Sequence, residues 1–369
     1  MVINDEYFYN LLSVIGIYSG QKELCVKVMS IFIVFLYHIS IIFCAIGASV
    51  FMLQVNFKLG LSYIFQALNS VLIWSTLFMK REKISALILE MHHFRKQCNI
   101  RNTFPYSARI FICTIILVLF ILCEEYILIA TYDSPYLQEF FKHHLKISEG
   151  IPFLIFTLFT GLIFFVEYSL PIIMTFILTL MLMKSAEILQ FYSRSLQTEF
   201  HSITSTNFFA DFLKVTKMLR EMIEVVNLLL IVVYSLFCIF TSLYNIMQFK
   251  DDVTHTVIVD TLFGFISGVT ILLMYSVSSS MIPENLSEIR QIARERINEH
   301  ALNLIPPIQQ NVLLCLRRIE TEKIIYVSVY GLFRLTKAFI LSATGMIFTY
   351  DLLIINAFLD PYNNTISRE

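Results

Sequence analysis

Of 369 residues, 57% are apolar and only 15% charged, with 34 Phe and 18 Tyr, more apolar surface than a water-soluble fold can hide. The net charge of −1 gives no global excess of either sign, which argues against nucleic acid or a strongly acidic partner. The seven cysteines are odd in number and fall in apolar stretches or on basic flanks, so no disulfide framework is expected.

A helix crosses the hydrocarbon with about 20 apolar residues, because every backbone polar group there must be bonded within the segment. The chain opens with Asp5, Glu6 and Glu23, and the apolar run that follows is longer than a signal-peptide core and lacks a small-residue cleavage pattern. That run, 28–56, is read as a retained span without acid or base. The segment 59–79 is equally clean, and 110–132 is interrupted only by Glu124 and Glu125. Glu167 is the one charge in 151–183, 225–249 has none, and 253–282 holds Asp260. The last segment, 324–359, contains Arg334, Lys337 and Asp351, which predicts a helix that starts in the cytosol and enters the membrane near Ala338. The expected fold is all-α, a polytopic membrane protein with seven transmembrane helices.

Lys and Arg concentrate on alternate flanks, which sets orientation. An N-terminus inside puts Lys22, Lys27, the Lys80 to Arg109 cluster, the bases from Lys184 to Arg220 and those from Arg290 to Lys323 in the cytosol. Lys58, Lys142, Lys146, Lys250 and Arg368 are left outside. The expectation is a multi-pass plasma-membrane protein, N-terminus cytosolic and C-terminus extracellular. The sequon at Asn363 then faces outward as glycosylation requires, whereas the one at Asn285 faces the cytosol.

Apolar stripes continue past the membrane on the inner side. Ile188, Leu189, Tyr192 and Leu196 recur at helical spacing after the fourth span, and Phe209, Phe212, Leu213, Leu219 and Ile223 do so before the fifth. After Pro283, Asn285-Leu286-Ser287-Glu288 reads as a capping box opening a new helix with Ile289, Ala293 and Ile297 on one stripe. Pro306-Pro307 ends it, and a further helix is predicted from Gln309 to Tyr330, feeding the last span. A single domain is expected, with a cytosolic helical extension from 184–223 and 283–330 and a terminal helix over 338–358.

An inside N-terminus sets the chain apart from G-protein-coupled receptors, as does the lack of any Asn-Pro dipeptide or Asp/Glu-Arg-Tyr tripeptide. The end of the last span reads Thr349-Tyr350-Asp351-Leu352-Leu353-Ile354-Ile355-Asn356-Ala357-Phe358. It resembles the Thr-Tyr, five residues, Gln-Phe signature of the gustatory receptor branch of the insect chemoreceptor superfamily. Thr349 and Tyr350 match; Asn356 stands for Gln, and the Phe comes one residue late as Phe358.

The resemblance implies a chemosensory, taste-type receptor acting as a ligand-gated non-selective cation channel. It further implies a homo- or heterotetramer in the lipid bilayer, the last helix of each subunit lining the pore. On a 3.6-residue period Thr349, Leu352, Leu353 and Asn356 share one face, an apolar constriction followed by an amide, which suits a gate that dewets when closed. The same face also suits ordinary helix packing. Asp351, about 100° around from Leu352, is expected either at the pore margin or paired within the bundle.

In the resembled family the ligand pocket lies in the outer half of the membrane. Candidates at that depth are Tyr63, Gln66, Glu124, Glu125, Tyr126, Asp260 and Phe263, acids and aromatics suited to a hydroxylated or amine-bearing tastant or odorant-like molecule. His38 is expected to lock to a neighbouring helix. No enzyme is expected: His92-His93 and His143-His144 are adjacent pairs rather than i, i+4 ligands, and no phosphate loop or nucleophile elbow occurs. No cofactor, metal or nucleic-acid partner is implied. A membrane transporter is the alternative, although no paired interrupted spans suggest inverted repeats.

Overall fold

The computed structural model describes residues 28, 31, 32, 34, 35, 38, 39, 42, 57–97, 170–198, 206–225, 228–248, 255–302, 310–329 and 333–366. Among these the chain is almost wholly helical. Helices α1 (Phe57–Met79) and α2 (Arg81–Gln97) come first, then α3 (Leu170–Thr198), α4 (Thr206–Val225) and α5 (Leu228–Gln248). The 47-residue α6 (His255–Ala301), α7 (Gln310–Thr321), a two-strand hairpin of β1 (Ser328–Val329) and β2 (Phe333–Arg334), and α8 (Lys337–Ile366) complete it. Within the described residues, Pro171–Thr198 and Thr261–Ala301 are long and apolar enough to cross a bilayer.

Helix α3 is the axis of the bundle. Ile172, Met174, Phe176, Ile177, Leu178 and their neighbours are buried on every side, as expected of a helix apolar all round. It packs chiefly on α6, and the two run parallel in register. Asn285 Nδ2 donates to the Ala186 carbonyl at 3.4 Å and Arg296 Nη2 to the Gln197 carbonyl at 2.7 Å, the same offset of 99 residues at both points.

Helices α5 and α6 approach closely because the residues between them are small. Ser235, Ser242 and Ser267 are buried, and a Cβ on Gly268 would lie 2.7 Å from the Ser235 carbonyl oxygen. Apolar helices gain little from leaving lipid for one another, so close van der Waals contact between backbones is what holds them. Leu262, Ile266, Leu273 and Val277 of α6, with Phe65, Leu68, Leu72 and Met79 of α1, are exposed. In a bilayer such apolar stripes face lipid tails.

Several expectations need correction. The basic stretch after Met79 is helical: Lys80 N–H donates to the Thr76 carbonyl and Ile84 N–H to that of Lys80, so α2 continues α1 almost directly. Its Ile84, Leu87, Ile88, Met91 and Phe94 form a buried stripe. Pro283 does not end a helix. It lies inside α6, and Asn285, expected in a cap, reaches across to α3 instead. The helix expected from Gln309 to Tyr330 stops at Thr321, and the chain is extended beyond it. In Ile324 to Ser328, Ile325 and Val327 are buried while Ile324, Tyr326 and Ser328 are half-buried. That alternation, in a β-branched and aromatic run, is a strand pattern. The Arg334 guanidinium sits 4.1 Å from the Tyr326 ring centroid, and Leu335 N–H donates to the Val327 carbonyl at 2.9 Å, closing the hairpin.

The inner stripes pack against one another. Ile188, Leu189, Tyr192, Leu196, Phe212, Leu219, Ile289 and Ala293 are all buried, and Tyr192 contacts both Phe94 and Phe212 ring to ring. Helix α7 adds Val312, Leu316 and Ile319. Arg95 and Glu187 form an ion pair buried between α2 and α3. Arg290 Nε donates to the Glu320 carbonyl at 2.9 Å and Arg294 Nε to the Glu320 carboxylate at 3.0 Å, which pins α7 to α6.

Candidate functional site

The terminal helix presents two unlike faces. Ala343 and Ile347, one turn apart, are buried against Ile239 of α5 and Leu272 of α6. At 100° per residue, Gly345, Thr349, Leu352, Leu353 and Asn356 cluster on the opposite side of the helix. Thr349, Leu352 and Leu353 are exposed, and none of the described residues comes within 4 Å of a Cβ built on Gly345. The Thr349 hydroxyl donates to the Gly345 carbonyl at 2.8 Å and that of Ser342 to the Ala338 carbonyl at 3.2 Å. Such back-bonding satisfies hydroxyls without a second helix. Tyr350 is also exposed.

Asp351 occupies the helix position one turn beyond Ile347. The backbones of Asp351, Asn356, Phe358 and Asn363 lie within α8, which runs on past the expected end at 358 to Ile366. The foot of the helix is tied by Lys337, whose Nζ lies 2.9 Å from Glu284 Oε1 of α6.

The expected ligand-site residues are spread over three segments. Tyr63 and Gln66 are in α1, and Asp260 and Phe263 are in α6. Glu124, Glu125 and Tyr126 lie outside the described residues. Phe263 is buried. Phe65 meets Phe237 of α5 at 4.4 Å between ring centroids. His38 Nδ1–H donates to the Val34 carbonyl at 2.7 Å, and the ring meets that of Trp74 on the neighbouring helix edge-on at 5.6 Å.

Three polar groups not singled out from sequence stand near these positions along α1 and α6. Asn69 Nδ2, Thr261 Oγ1 and Ser267 Oγ are buried without a hydrogen-bond partner among the described residues. Leaving such groups unsatisfied costs about 1–3 kcal/mol each. They are uncharged, so they do not stand out in a hydropathy and charge pattern as intramembrane acids do. Among the described residues, no group of His, Cys, Asp and Glu is placed to hold a metal ion, and Cys238 and Cys315 form no disulfide.

No family model matches the chain, and no curated protein matches it in sequence. Solved structures do. The insect olfactory receptor OR5 from Machilis hrabei, in complex with eugenol, superposes with a TM-score of 0.70 over 95% of this chain and 97% of the receptor, at 11% sequence identity. The same receptor solved on its own gives a TM-score of 0.68 with the same identity and coverage. The fold is that of an insect olfactory receptor. The likeness spans nearly the whole chain, whereas the sequence resemblance rests on the last helix. It shows the all-helical, polytopic membrane architecture that hydropathy implied, in the olfactory-receptor arrangement.

Proposed function

We propose that this chain is a chemosensory receptor of the gustatory-receptor type, acting as a ligand-gated cation channel rather than as an enzyme or transporter. It would have seven spans, its N-terminus in the cytosol and its C-terminus outside, and would assemble as a tetramer with α8 lining a central pore. The observation that carries the reading is the terminal helix. It packs through Phe339, Ala343 and Ile347, while the face bearing Gly345, Thr349, Leu352 and Leu353 is uncovered by any of the described residues. Whole-chain similarity to an insect olfactory receptor supports it.

In this reading Leu352 and Leu353 form the dewetting constriction, and Thr349 and Asn356 hydrate the passing cation on either side. The Asp351 carboxylates, one from each subunit, favour cations near the outer mouth. The ligand is a small aromatic or hydroxylated molecule held among Phe263, Tyr63, Gln66, Asp260 and the third-span acids. The unpartnered Asn69, Thr261 and Ser267 supply neutral hydrogen-bond donors and acceptors. Eugenol, bound by the structurally similar receptor, is the rational first probe.

Imaging the purified full chain in lipid nanodiscs tests the assembly. A four-fold particle with α8 at its axis is the expected result; a monomer, or a four-fold particle with α8 on the rim, overturns the pore assignment. Patch-clamp recording tests conduction, with ligand-evoked unitary currents expected and coupled uptake without such currents pointing to a transporter.

A further inference from the structure

Helix α6 is tied at both ends, and between the ties its main-chain hydrogen-bond ladder is broken by Pro283. Toward the outside, Gly268 is pressed against Ser235 and Ile239 of α5. Toward the cytosol, Arg290 and Arg294 are bonded to Glu320, and Arg296 to the Gln197 carbonyl. The stretch 276–283 between these clamps reads Ser-Val-Ser-Ser-Ser-Met-Ile-Pro.

Pro283 brings no N–H to the carbonyl of Ser279, so one rung of the helical ladder is missing. The Ser278 hydroxyl donates to the Met274 and Tyr275 carbonyls at 2.8 and 3.1 Å, and that of Ser280 to the Val277 carbonyl at 2.8 Å. Hydroxyls that compete for main-chain carbonyls weaken and bend helices. Just past the proline, Asn285 holds α3 by a long 3.4 Å bond. The firmer polar tie runs elsewhere. Glu284 receives Lys337, the first residue of α8, with Nζ 2.9 Å from Oε1 and 3.1 Å from Oε2.

We propose that 276–283 is a hinge in α6 and that the Glu284–Lys337 pair is the strut through which its bending moves the foot of the terminal helix. The hinge and strut stand on the fold alone, while their use in gating rests on the channel reading. A bend in α6 displaces Glu284 with the inner segment, and Lys337 follows through the ion pair, alongside the apolar contacts of Phe339, Ala343 and Ile347. The outer part of α6, which carries Asp260 and Phe263, is thereby joined mechanically to the helix of the proposed gate.

Hydrogen–deuterium exchange of the full chain in phosphatidylcholine nanodiscs tests both parts without any ligand or current. Pro283→Ala restores a donor and is expected to slow exchange of amides 278–282 by about fivefold. Glu284→Gln is expected to speed exchange in the first turn of α8, 338–341, by about two- to threefold, since the pair is exposed. In Pro283→Ala the first turn of α8 slows as well, and in the double variant it does not.

Unchanged exchange at 278–282 in Pro283→Ala removes the hinge. Unchanged exchange at 338–341 in Glu284→Gln removes the strut. Should Pro283→Ala fail to elute as a monodisperse particle, Ser278→Ala with Ser280→Ala serves the same purpose, with slower exchange expected and no change overturning the hinge. The reversal Glu284→Lys with Lys337→Glu is expected to restore wild-type exchange at 338–341, and failure to do so counts against the strut. Absence of currents in patch-clamp recording would defeat the channel reading and leave these exchange results intact.

Discussion

Helices α3 and α8 are alike in length, 29 and 30 residues, and both are strongly apolar, yet their surroundings are opposite. Nearly every side chain of α3 from Ile172 to Met183 is buried within the subunit, and its inner half adds the Arg95–Glu187 pair. Helix α8 buries Ala343 and Ile347 and exposes most of the rest of its described length. Hydropathy reports what a helix tolerates around it, lipid or protein, and does not distinguish the two. The contrast predicts that α3 governs whether the subunit folds, and that α8 governs what the subunit does.

Breaking the α3 side should cost most. Arg95→Met leaves the buried Glu187 carboxylate without this guanidinium, an expected loss of about 3–5 kcal/mol in denaturant titration of the detergent-solubilised chain. Replacing both partners, Arg95→Met with Glu187→Leu, should recover most of that loss, because a well-packed apolar pair avoids the desolvation of two charges. A small effect of Arg95→Met would place the pair in contact with water and weaken the view of α3 as a dry axis.

The pair also shows where sequence reading succeeds and where it stops. Arg95 was counted only as one of the basic residues that orient the chain, and the i, i+3, i+4 stripe of Ile84, Leu87, Ile88, Met91 and Phe94 beside it was legible but overlooked in favour of charge. Among the described residues, the apolar segments 59–79 and 228–248, the inner stripes and the start of the last helix near Ala338 follow from periodicity and charge, because bilayer thickness and backbone hydrogen bonding leave few alternatives. Pro283 misled, since proline disfavours a helix interior by local rules, whereas contacts on both sides of it keep α6 continuous. The hairpin at Ser328 to Arg334 was hidden by the assumption that an apolar run near the membrane is helical, despite its alternation. Of the candidate site, the face of Thr349, Leu352 and Leu353 could be read from period alone.

Within α8 the two faces should respond differently to the same chemistry. Ile347→Ala removes side-chain atoms packed on Ile239 and Leu272 and should cost about 2 kcal/mol, the low end for a core truncation. Leu353→Ala should stay within about 0.5 kcal/mol in the dissociated subunit. In recordings of the assembled protein the order should reverse, with Leu353→Ala raising basal current. Equal stability losses at the two positions would show that α8 is covered on both faces within one subunit and would end the comparison.

The α5–α6 crossing offers a smaller test of the close-packed side. Gly268→Ala places a methyl 2.7 Å from the Ser235 carbonyl oxygen, 2.9 Å from Ile239 Cγ1 and 3.0 Å from Cys238 Cβ. The backbones must move apart, at an expected cost of about 1 kcal/mol and a lower melting temperature by tryptophan fluorescence of Trp74. A neutral substitution would mean that the two helices slide freely, and Gly268 would no longer count as the outer clamp of α6.

The smallest effect is the most discriminating, because its sign is what matters. A Cβ on Gly345 meets none of the described residues within 4 Å, so Gly345→Ala should stabilise α8 by about 0.5–1 kcal/mol through helix propensity and a less flexible unfolded chain. That holds for a dissociated subunit in detergent. In the assembly, Gly345 lies on the face assigned to the central axis, one turn before Thr349. There a methyl on each subunit narrows the proposed conduction path and should lower unitary conductance. A stabilised subunit with reduced conductance supports the axial placement of this face. If conductance is unchanged while stability rises, Gly345 faces lipid, and the open side of α8 is a membrane surface and not a pore.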